Sequence, residues 1–168
     1  MLPNGTNTLL IVLEPIIKKL KIKTVLEFGC GYGTTPFFGE LVESVTSIEM
    51  QNDEWYHKVK EKCNNEKHDI YLLLGSTGGI EFMKNENKRY DLILVDGHGS
   101  SRPEVINEAV NFSDIIVVHD TEAPCYGWNR VNKNLDGWVW KDIFHHVNGY
   151  GKIGTSIFTN RKDVLDII

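Results

Sequence analysis

Short runs of Val, Ile and Leu recur along the chain as far as Val118, and a segment with helical spacing separates each run from the next. Near-continuous apolar strands are typical of a parallel sheet that helices cover on both faces. Strands that alternate with helices in this way predict a doubly wound, mostly parallel α/β sheet. The predicted strands are 24–28, 45–49, 70–74, 91–95 and 114–118.

Helical spacing of apolar residues also predicts a lead-in helix over 8–20, with Asn7 or Thr8 as its N-cap and Pro15 as the position of a kink. The other predicted helices run up to about 42 and over 53–63, 79–85 and 103–111.

The last part of the chain has a different pattern. Two strand-like runs, 138–147 and 153–159, flank the turn-rich segment 148–152. This arrangement predicts a hairpin, and therefore an antiparallel end to the sheet.

Composition limits the class of protein. The 168 residues are 41% apolar and 24% charged, without internal repeats or a linker, so we expect one globular domain. The net charge of −5 argues against a broad nucleic-acid surface, although a local basic groove stays open. The three cysteines are far apart and outside any CxxC pattern, which favours a reducing compartment over disulfides or zinc. With neither a signal peptide nor a membrane span in the pattern, we expect a cytoplasmic protein.

The first predicted strand ends in a glycine-rich turn, 29–33, with the sequence Gly-Cys-Gly-Tyr-Gly. Ligands of open α/β sheets bind beyond the carboxyl ends of the strands, and glycines let the backbone approach them closely. A dinucleotide fingerprint would need glycine where this chain has Thr34. The pattern is instead ExGxGxG, beginning at Glu27. Taken alone, the turn could equally be a structural connection between strand and helix.

Glu49 and Met50 follow at the end of the second strand. A carboxylate at this position can accept hydrogen bonds from both hydroxyls of a ribose. The thioether of Met50 could lie against an adenine face. Taken singly, Glu49 could be a solvated acid and Met50 a core residue.

Two further strand ends carry polar clusters. Asp96 and His98 follow the fourth strand, and His119 and Asp120 follow the fifth. Charged groups at the ends of buried strands are costly unless they are solvated, paired or used. Because these ends lie at the same edge of the predicted sheet, we expect the four side chains to converge.

In this order the motifs resemble those of class I S-adenosylmethionine-dependent methyltransferases, over roughly residues 8–160. The resemblance implies a Rossmann-like sheet of seven strands, ordered 3-2-1-4-5-7-6, with strand 7 antiparallel. It implies one domain over 1–168, with the lead-in helix in 1–23, the cofactor-binding core in 24–118, and the acceptor-side loop and hairpin in 119–168. It also implies an S-adenosylmethionine site formed by Glu27, Gly29, Cys30, Gly31, Gly33, Glu49, Met50, Ser76 and Asp96.

The same resemblance implies methyl transfer to an oxygen of a small molecule, sugar or polysaccharide, with Asp96, His98, His119 and Asp120 as catalytic residues. In metal-dependent members, acids at these two strand ends bind Mg²⁺, so Asp96 and Asp120 would be the ligands here. His119 weighs against metal, because it stands where several such members have an acid and imidazole is a poor ligand for Mg²⁺. Without metal, His98 or His119 would be the general base.

Two other functions stay open at this stage. Residues 1–23 alone precede the first strand, whereas members that hold large acceptors often carry an added cap, so a noncatalytic S-adenosylmethionine-binding or scaffold protein is the alternative. An enzyme of nucleotide sugars or nicotinamide is disfavoured by Thr34 and by the terminal hairpin.

We also expect Tyr126 and Trp128 to border the acceptor, Trp138 and Trp140 to share a core face, and Cys30 to fill space rather than act as a nucleophile.

Overall fold

A computed structural model describes residues 4–63, 66–75, 77–147 and 151–168. Three single-turn 3-10 helices, at Gly99–Ser101, Pro124–Tyr126 and Trp128–Arg130, lie between the main elements. The main elements, in chain order, are α1 Asn4–Leu20, β1 Thr24–Phe28, α2 Thr34–Leu41, β2 Ser44–Glu49, α3 Asp53–Lys62, β3 His68–Leu72, α4 Gly78–Glu86, β4 Leu92–Val95, α5 Arg102–Ala109, β5 Ile115–His119, β6 Val139–Val147, β7 Gly151–Thr159 and α6 Lys162–Leu165.

The strands form one seven-stranded sheet in the order β3-β2-β1-β4-β5-β7-β6. Neighbours among β1 to β5 pair in parallel, and β7 pairs antiparallel with both β5 and β6. The predicted fold class, strand order and terminal hairpin are therefore confirmed. Because the first five strands run in the same direction, the carboxyl ends of β1, β2, β4 and β5 meet at one edge of the sheet.

Apolar layers cover both faces of the sheet. Residues of β4 alternate between the layers: Leu92 and Leu94 pack with α1 and α2, and Ile93 and Val95 pack with α4 and α5. All four are buried, which explains why β4 has no polar alternation in the sequence. In the described part of the chain, no helix is both long and apolar enough to cross a membrane.

Most element boundaries agree with the predictions to within one residue. Strand β7 begins at Gly151, two residues earlier than predicted, and α5 ends at Ala109, two residues earlier than predicted. Helix α1 begins at Asn4, so Asn7 and Thr8 lie inside it and the prediction that either is the N-cap was wrong. Strand β3 lies two residues earlier than predicted, because the apolar run continues past its end to Leu74, which is 62% exposed. Helix α6 is one turn long and gave no periodic signal. Residues 148–150 of the predicted turn lie outside the described residues.

The two tryptophans of the hairpin region share a face, as predicted. The rings of Trp138 and Trp140 lie 4.7 and 5.8 Å from the ring of Phe158, between centroids. Both pack, half-buried, against the core layer that contains α4 and α5.

Candidate functional site

Gly29 opens the turn after β1, and the fold itself requires glycine there. Its φ of +88° lies in the region that side chains disfavour. A Cβ at this position would also lie 2.5 Å from the carbonyl oxygen of Asp96. Gly97 also approaches Gly29 closely, because a Cβ on Gly97 would lie 3.3 Å from the Gly29 nitrogen, a tight contact. The turns after β1 and β4 therefore touch through two glycines.

Gly31, two residues further on, is different. A Cβ there would meet only the Oγ1 of Thr34 within 4 Å among the described residues, at an ordinary contact distance of 3.6 Å. Gly31 lines both cavities described below. The protein's own packing thus leaves room for a larger residue at this point of the turn.

Glu27 lies behind the turn, with none of its surface exposed. Its carboxylate accepts hydrogen bonds from the hydroxyls of Thr34, Thr35 and Ser47. Thr35 Oγ1 in turn accepts the backbone N–H of Gly31 at 2.9 Å, so Glu27 braces the turn through Thr35. Burial raises the pKa of Glu27 from 4.5 to about 7, although the three hydroxyls favour the charged form.

Two neighbouring cavities border the glycine turn. The larger of these two, of about 340 Å³, lies beyond the carboxyl ends of β1, β2 and β4. This volume is in the range of small-molecule sites. Glu49 stands at its wall with its carboxylate fixed, because Oε1 accepts the backbone N–H groups of Gln51 at 2.8 Å and Asn52 at 3.2 Å. The lining residues are Gly29, Cys30, Gly31, Glu49, Gln51, Asn52, Trp55 and Asp96.

Trp55, near the start of α3, forms a wall common to both cavities. Asn52 caps this helix by accepting the backbone N–H of Trp55 at 3.1 Å. The indole Nε1 donates to the carbonyl of Cys30 at 2.7 Å, and the ring centroid lies 4.5 Å from that of Tyr32. Trp55 therefore ties α3 to the glycine turn.

The smaller cavity, of about 170 Å³, extends from the glycine turn towards α1 and β5. Leu9 of α1 closes one side, and His119 at the end of β5 closes another. The remaining lining residues are Gly31, Tyr32, Gly33, Thr34, Trp55 and Asp96. Because Gly31, Trp55 and Asp96 line both cavities, the two are neighbours along the strand ends.

The ends of β4 and β5 bring Asp96, His119 and Asp120 together, with one potential ligand atom of each within 4.8 Å of the others. The Nδ1 of His119 lies 3.4 Å from Asp96 Oδ1 and 3.3 Å from Asp120 Oδ1. Asp120 has a φ of +56°, an uncommon backbone conformation outside glycine that concentrates at functional sites.

Charge and burial set the protonation of this cluster. Burial by itself lowers the pKa of His119, but contact with Asp96 and the charge of Asp120 outweigh it, so the pKa lies above its ordinary value. Burial raises the pKa of Asp120, and the negative charge of Asp96 raises it further. The positive charges of His119 and Arg102 lower it, but they do not outweigh burial. The His119 imidazole is therefore a stronger base than a free one.

Solved structures of low sequence identity share this architecture. The O-methyltransferase from Bacillus cereus, crystallised with S-adenosylhomocysteine, is 15% identical, with 95% of this chain and 81% of that chain covered and a TM-score of 0.73. The N-methyltransferase NodS from Bradyrhizobium japonicum, also with S-adenosylhomocysteine, is 14% identical, with 95% and 89% covered and a TM-score of 0.66. This chain has the class I methyltransferase fold. No protein-family model and no curated protein sequence matches it.

The fold leaves the transferred group and its acceptor open. Spermidine synthase from Thermotoga maritima is 12% identical, with a TM-score of 0.64. The match covers 97% of this chain and 62% of the spermidine synthase chain. O-methyltransferases, an N-methyltransferase and a spermidine synthase therefore share this fold, and function must be argued from the site.

Six of the residues that the motifs imply for the cofactor line one or both of the two cavities. Gly29, Cys30, Gly31, Glu49 and Asp96 line the larger cavity, and Gly33 lines the smaller one.

Two of the implied cofactor residues line neither cavity. Glu27 is fully enclosed and braces the turn, so direct contact with a ligand stays a prediction. Met50 is 3% exposed and packs in the core layer beside Phe28, which leaves little side-chain surface for an adenine. Ser76 lies outside the described residues.

Cys30 is buried, and its burial, with Glu49 beside it, raises the pKa of its thiol. This agrees with the prediction that Cys30 is not a nucleophile.

The catalytic set implied by the motifs is only partly assembled. Asp96, His119 and Asp120 converge, but His98 Nδ1 lies 2.8 Å from Ser100 Oγ, and His98 is outside the cluster of potential ligand atoms. Tyr126 packs over the guanidinium of Arg102, and its ring lies 5.6 Å from that of Trp128. Neither aromatic residue lines the two cavities, so the prediction that they border the acceptor gains no support.

Sequence reasoning missed Arg102, Trp55 and Leu9. Arg102 is 5% exposed in its side chain and contacts both acids of the cluster, with Nη2 at 3.1 Å from Asp96 Oδ1 and 3.4 Å from Asp120 Oδ2. A signal existed for Arg102, because it follows the polar segment after β4 at the start of a helix. For Trp55 the signal is the aromatic pair that shortly follows Glu49 in the sequence. Leu9 carries no such signal, since apolar residues at helical spacing indicate core packing equally well.

The residues do not fit Mg²⁺, the metal ion that the sequence resemblance raised for Asp96 and Asp120. Mg²⁺ takes oxygen ligands in octahedral geometry. Here the carboxylates of Asp96 and Asp120 already face the buried guanidinium of Arg102 and the imidazole of His119. Two nitrogen groups thus face Asp96 Oδ1 and both oxygens of Asp120, which Mg²⁺ would need as ligands.

Proposed function

We propose that this protein is an S-adenosylmethionine-dependent methyltransferase that methylates an oxygen of a small molecule, sugar or polysaccharide. The observation that carries the proposal is Gly31, which lines both cavities although the fold's own packing does not require glycine there. A ligand that passes close to the backbone at this point supplies the reason for glycine.

The larger cavity is the proposed cofactor site. Glu49 offers its Oε2 to a ribose, because Oε1 is held by two backbone N–H groups, whereas Oε2 lies 3.5 Å from the Cys30 thiol. The glycine turn supplies a close-approaching backbone for the methionyl part, braced by Glu27 through Thr35. When bound, S-adenosylmethionine supplies a methyl group already activated on a sulfonium.

The smaller cavity is the proposed acceptor site. His119 and Asp96 line it, and Asp120 lies beside His119. We assign His119 as the residue that takes the proton of the acceptor hydroxyl, with Asp96 and Asp120 orienting the imidazole. Positioning of the acceptor near the methyl carbon is worth about 7–11 kcal/mol at best, so Leu9, Tyr32 and Trp55, which shape the cavity, matter as much as the base.

The cavity volume limits the acceptor. A cavity of about 170 Å³ accepts a small molecule or one sugar unit, so a polysaccharide would enter by a chain end.

The three cysteines are all free, which supports the further proposal of a cytoplasmic location.

Calorimetric titration of the chain with S-adenosylmethionine and S-adenosylhomocysteine tests the cofactor site. We expect micromolar binding of both. Absence of heat together with absence of a thermal shift would contradict the whole proposal.

Catalysis is tested separately with His119→Gln, assayed by formation of S-adenosylhomocysteine across phenols, sugars and polysaccharide fragments. We expect turnover to fall at least about a hundredfold while cofactor affinity stays unchanged. The matched control is His146→Gln, because His146 lies exposed on β6, away from both cavities. Cofactor binding without turnover on any acceptor would favour the noncatalytic alternative.

A further inference from the structure

Arg102, the first residue of α5, reaches back to the ends of β4 and β5. Its guanidinium donates to three backbone carbonyls: Nε to Gly97 at 2.9 Å, Nη1 to His119 at 2.7 Å, and Nη2 to Asp96 at 3.2 Å. Tyr126 covers one face, with its ring centroid 4.4 Å from Cζ. The side chain is therefore held on all sides by the strand ends that form the cluster.

The same guanidinium is the charge partner of both acids. Nη2 lies 3.1 Å from Asp96 Oδ1 and 3.4 Å from Asp120 Oδ2. Arginine stays charged in proteins, and a buried charge is tolerated only when it is paired and hydrogen-bonded. Arg102 meets this condition, since its side chain is 5% exposed and all three of its nitrogens donate hydrogen bonds.

Two converging carboxylates at these strand ends repel each other unless a cation lies between them. A divalent ion is one solution, and a fixed guanidinium is another. Here the guanidinium faces one oxygen of each acid, and His119 Nδ1 faces Asp96 Oδ1 and Asp120 Oδ1. A divalent cation at the same oxygens would stand next to the fixed charge of Arg102.

We propose that Arg102 is the built-in cation of this site: its guanidinium takes the place of a divalent metal ion between Asp96 and Asp120 and fixes the direction of both carboxylates. Arg102 is thus a positioning residue, and the site excludes divalent cations by charge. That the oriented carboxylates serve methyl transfer rests on the proposed function, whereas the exclusion of metal does not.

The test uses Mn²⁺ as the probe, because its free form is counted directly by electron paramagnetic resonance. Wild type, Arg102→Met and the double variant Arg102→Met/Asp120→Asn are purified from chelator and titrated with Mn²⁺. Arg130→Met is the matched control, since the Arg130 guanidinium pairs with exposed Glu104 at 2.7 Å. Melting temperatures with and without Mn²⁺ give a second readout that needs no methyl acceptor.

We expect wild type and Arg130→Met to leave all Mn²⁺ free. Arg102→Met should bind one Mn²⁺ per chain and melt at a higher temperature when Mn²⁺ is present, and the double variant should lose both effects. A residue that only stabilised packing would not produce this gain of binding. A folded Arg102→Met chain that leaves Mn²⁺ free would overturn the proposal.

Arg102→Met leaves two acids without their cation and can fail to fold, so wild type is also measured against Asp96→Asn. Mn²⁺ binding by wild type that Asp96→Asn abolishes would overturn the proposal, and free Mn²⁺ in wild type supports it. A further variant, Arg102→Lys, retains the positive charge and should leave Mn²⁺ free. None of these outcomes depends on cofactor binding or turnover, so failure here and failure of the proposed function are distinguishable.

Discussion

Burial of Glu27 predicts that the protein loses stability as the pH rises through neutrality. The pKa of this carboxyl is about 7 in the folded chain and 4.5 as its ordinary value. A raised pKa means that the folded state binds the proton more tightly than the unfolded state. The stabilisation is therefore complete below pH 4.5 and is lost as the pH rises through about 7.

The size of the effect follows from the two pKa values. At about 1.4 kcal/mol per pH unit, the gap between 4.5 and about 7 corresponds to about 3 kcal/mol. Between pH 5 and pH 8 the contribution of Glu27 should fall by about 2 to 3 kcal/mol, because part of the change lies below pH 5.

Glu27→Gln removes the titrating group and retains hydrogen bonding to the hydroxyls. We expect the free energy of unfolding of wild type, relative to the variant, to fall by about 2 to 3 kcal/mol from pH 5 to pH 8. Urea unfolding followed by tryptophan fluorescence at several pH values measures this difference. Glu81→Gln, at an exposed position on α4, is the control for loss of a carboxylate. A wild-type-minus-variant difference that stays constant across this range would refute the reasoning.

Three further predictions concern the glycine turn and Trp55, which ties α3 to that turn. Gly29→Ala should destabilise the chain by more than about 2 kcal/mol in urea unfolding, because its φ is +88° and a Cβ would meet the Asp96 carbonyl, and a wild-type midpoint would contradict this. Gly31→Ala should change stability by less than about 0.5 kcal/mol yet weaken S-adenosylhomocysteine binding at least about tenfold in calorimetry; equal affinity would mean that no ligand approaches there. Trp55→Phe loses the bond to the Cys30 carbonyl and should weaken the same binding by about 1 kcal/mol, whereas unchanged binding would show that the turn holds its shape without it.

Much of the fold was predictable because its signals are local. Strands β4 and β5 are buried on both faces, so their sequences are nearly all Val, Ile and Leu, and the hairpin stands out by its turn-rich connection. Strand β3 was misplaced by two residues for the same reason, because the apolar run that suggested it extends to the exposed Leu74.

The site was predictable only where residues follow strand ends directly. Asp96, His119 and Asp120 were expected to converge, and they do. His98 was expected with them, but it turns to Ser100 after the chain has left β4. His98 lies three residues beyond the end of β4, where the direction of a side chain depends on the loop, which periodicity does not describe.

By itself, the sequence determined that this chain forms a parallel α/β sheet with a glycine turn after β1 and polar groups after β4 and β5. Apolar periodicity reports which residues are buried, and glycine reports where the backbone turns. The tertiary structure alone decided that Arg102 lies between two acids and that Trp55 and Leu9 wall the cavities. Those contacts join α1, α3 and α5 to the strand ends. They depend on how the helices pack over the sheet, and the residues that meet there are far apart in the sequence, so no local pattern encodes them.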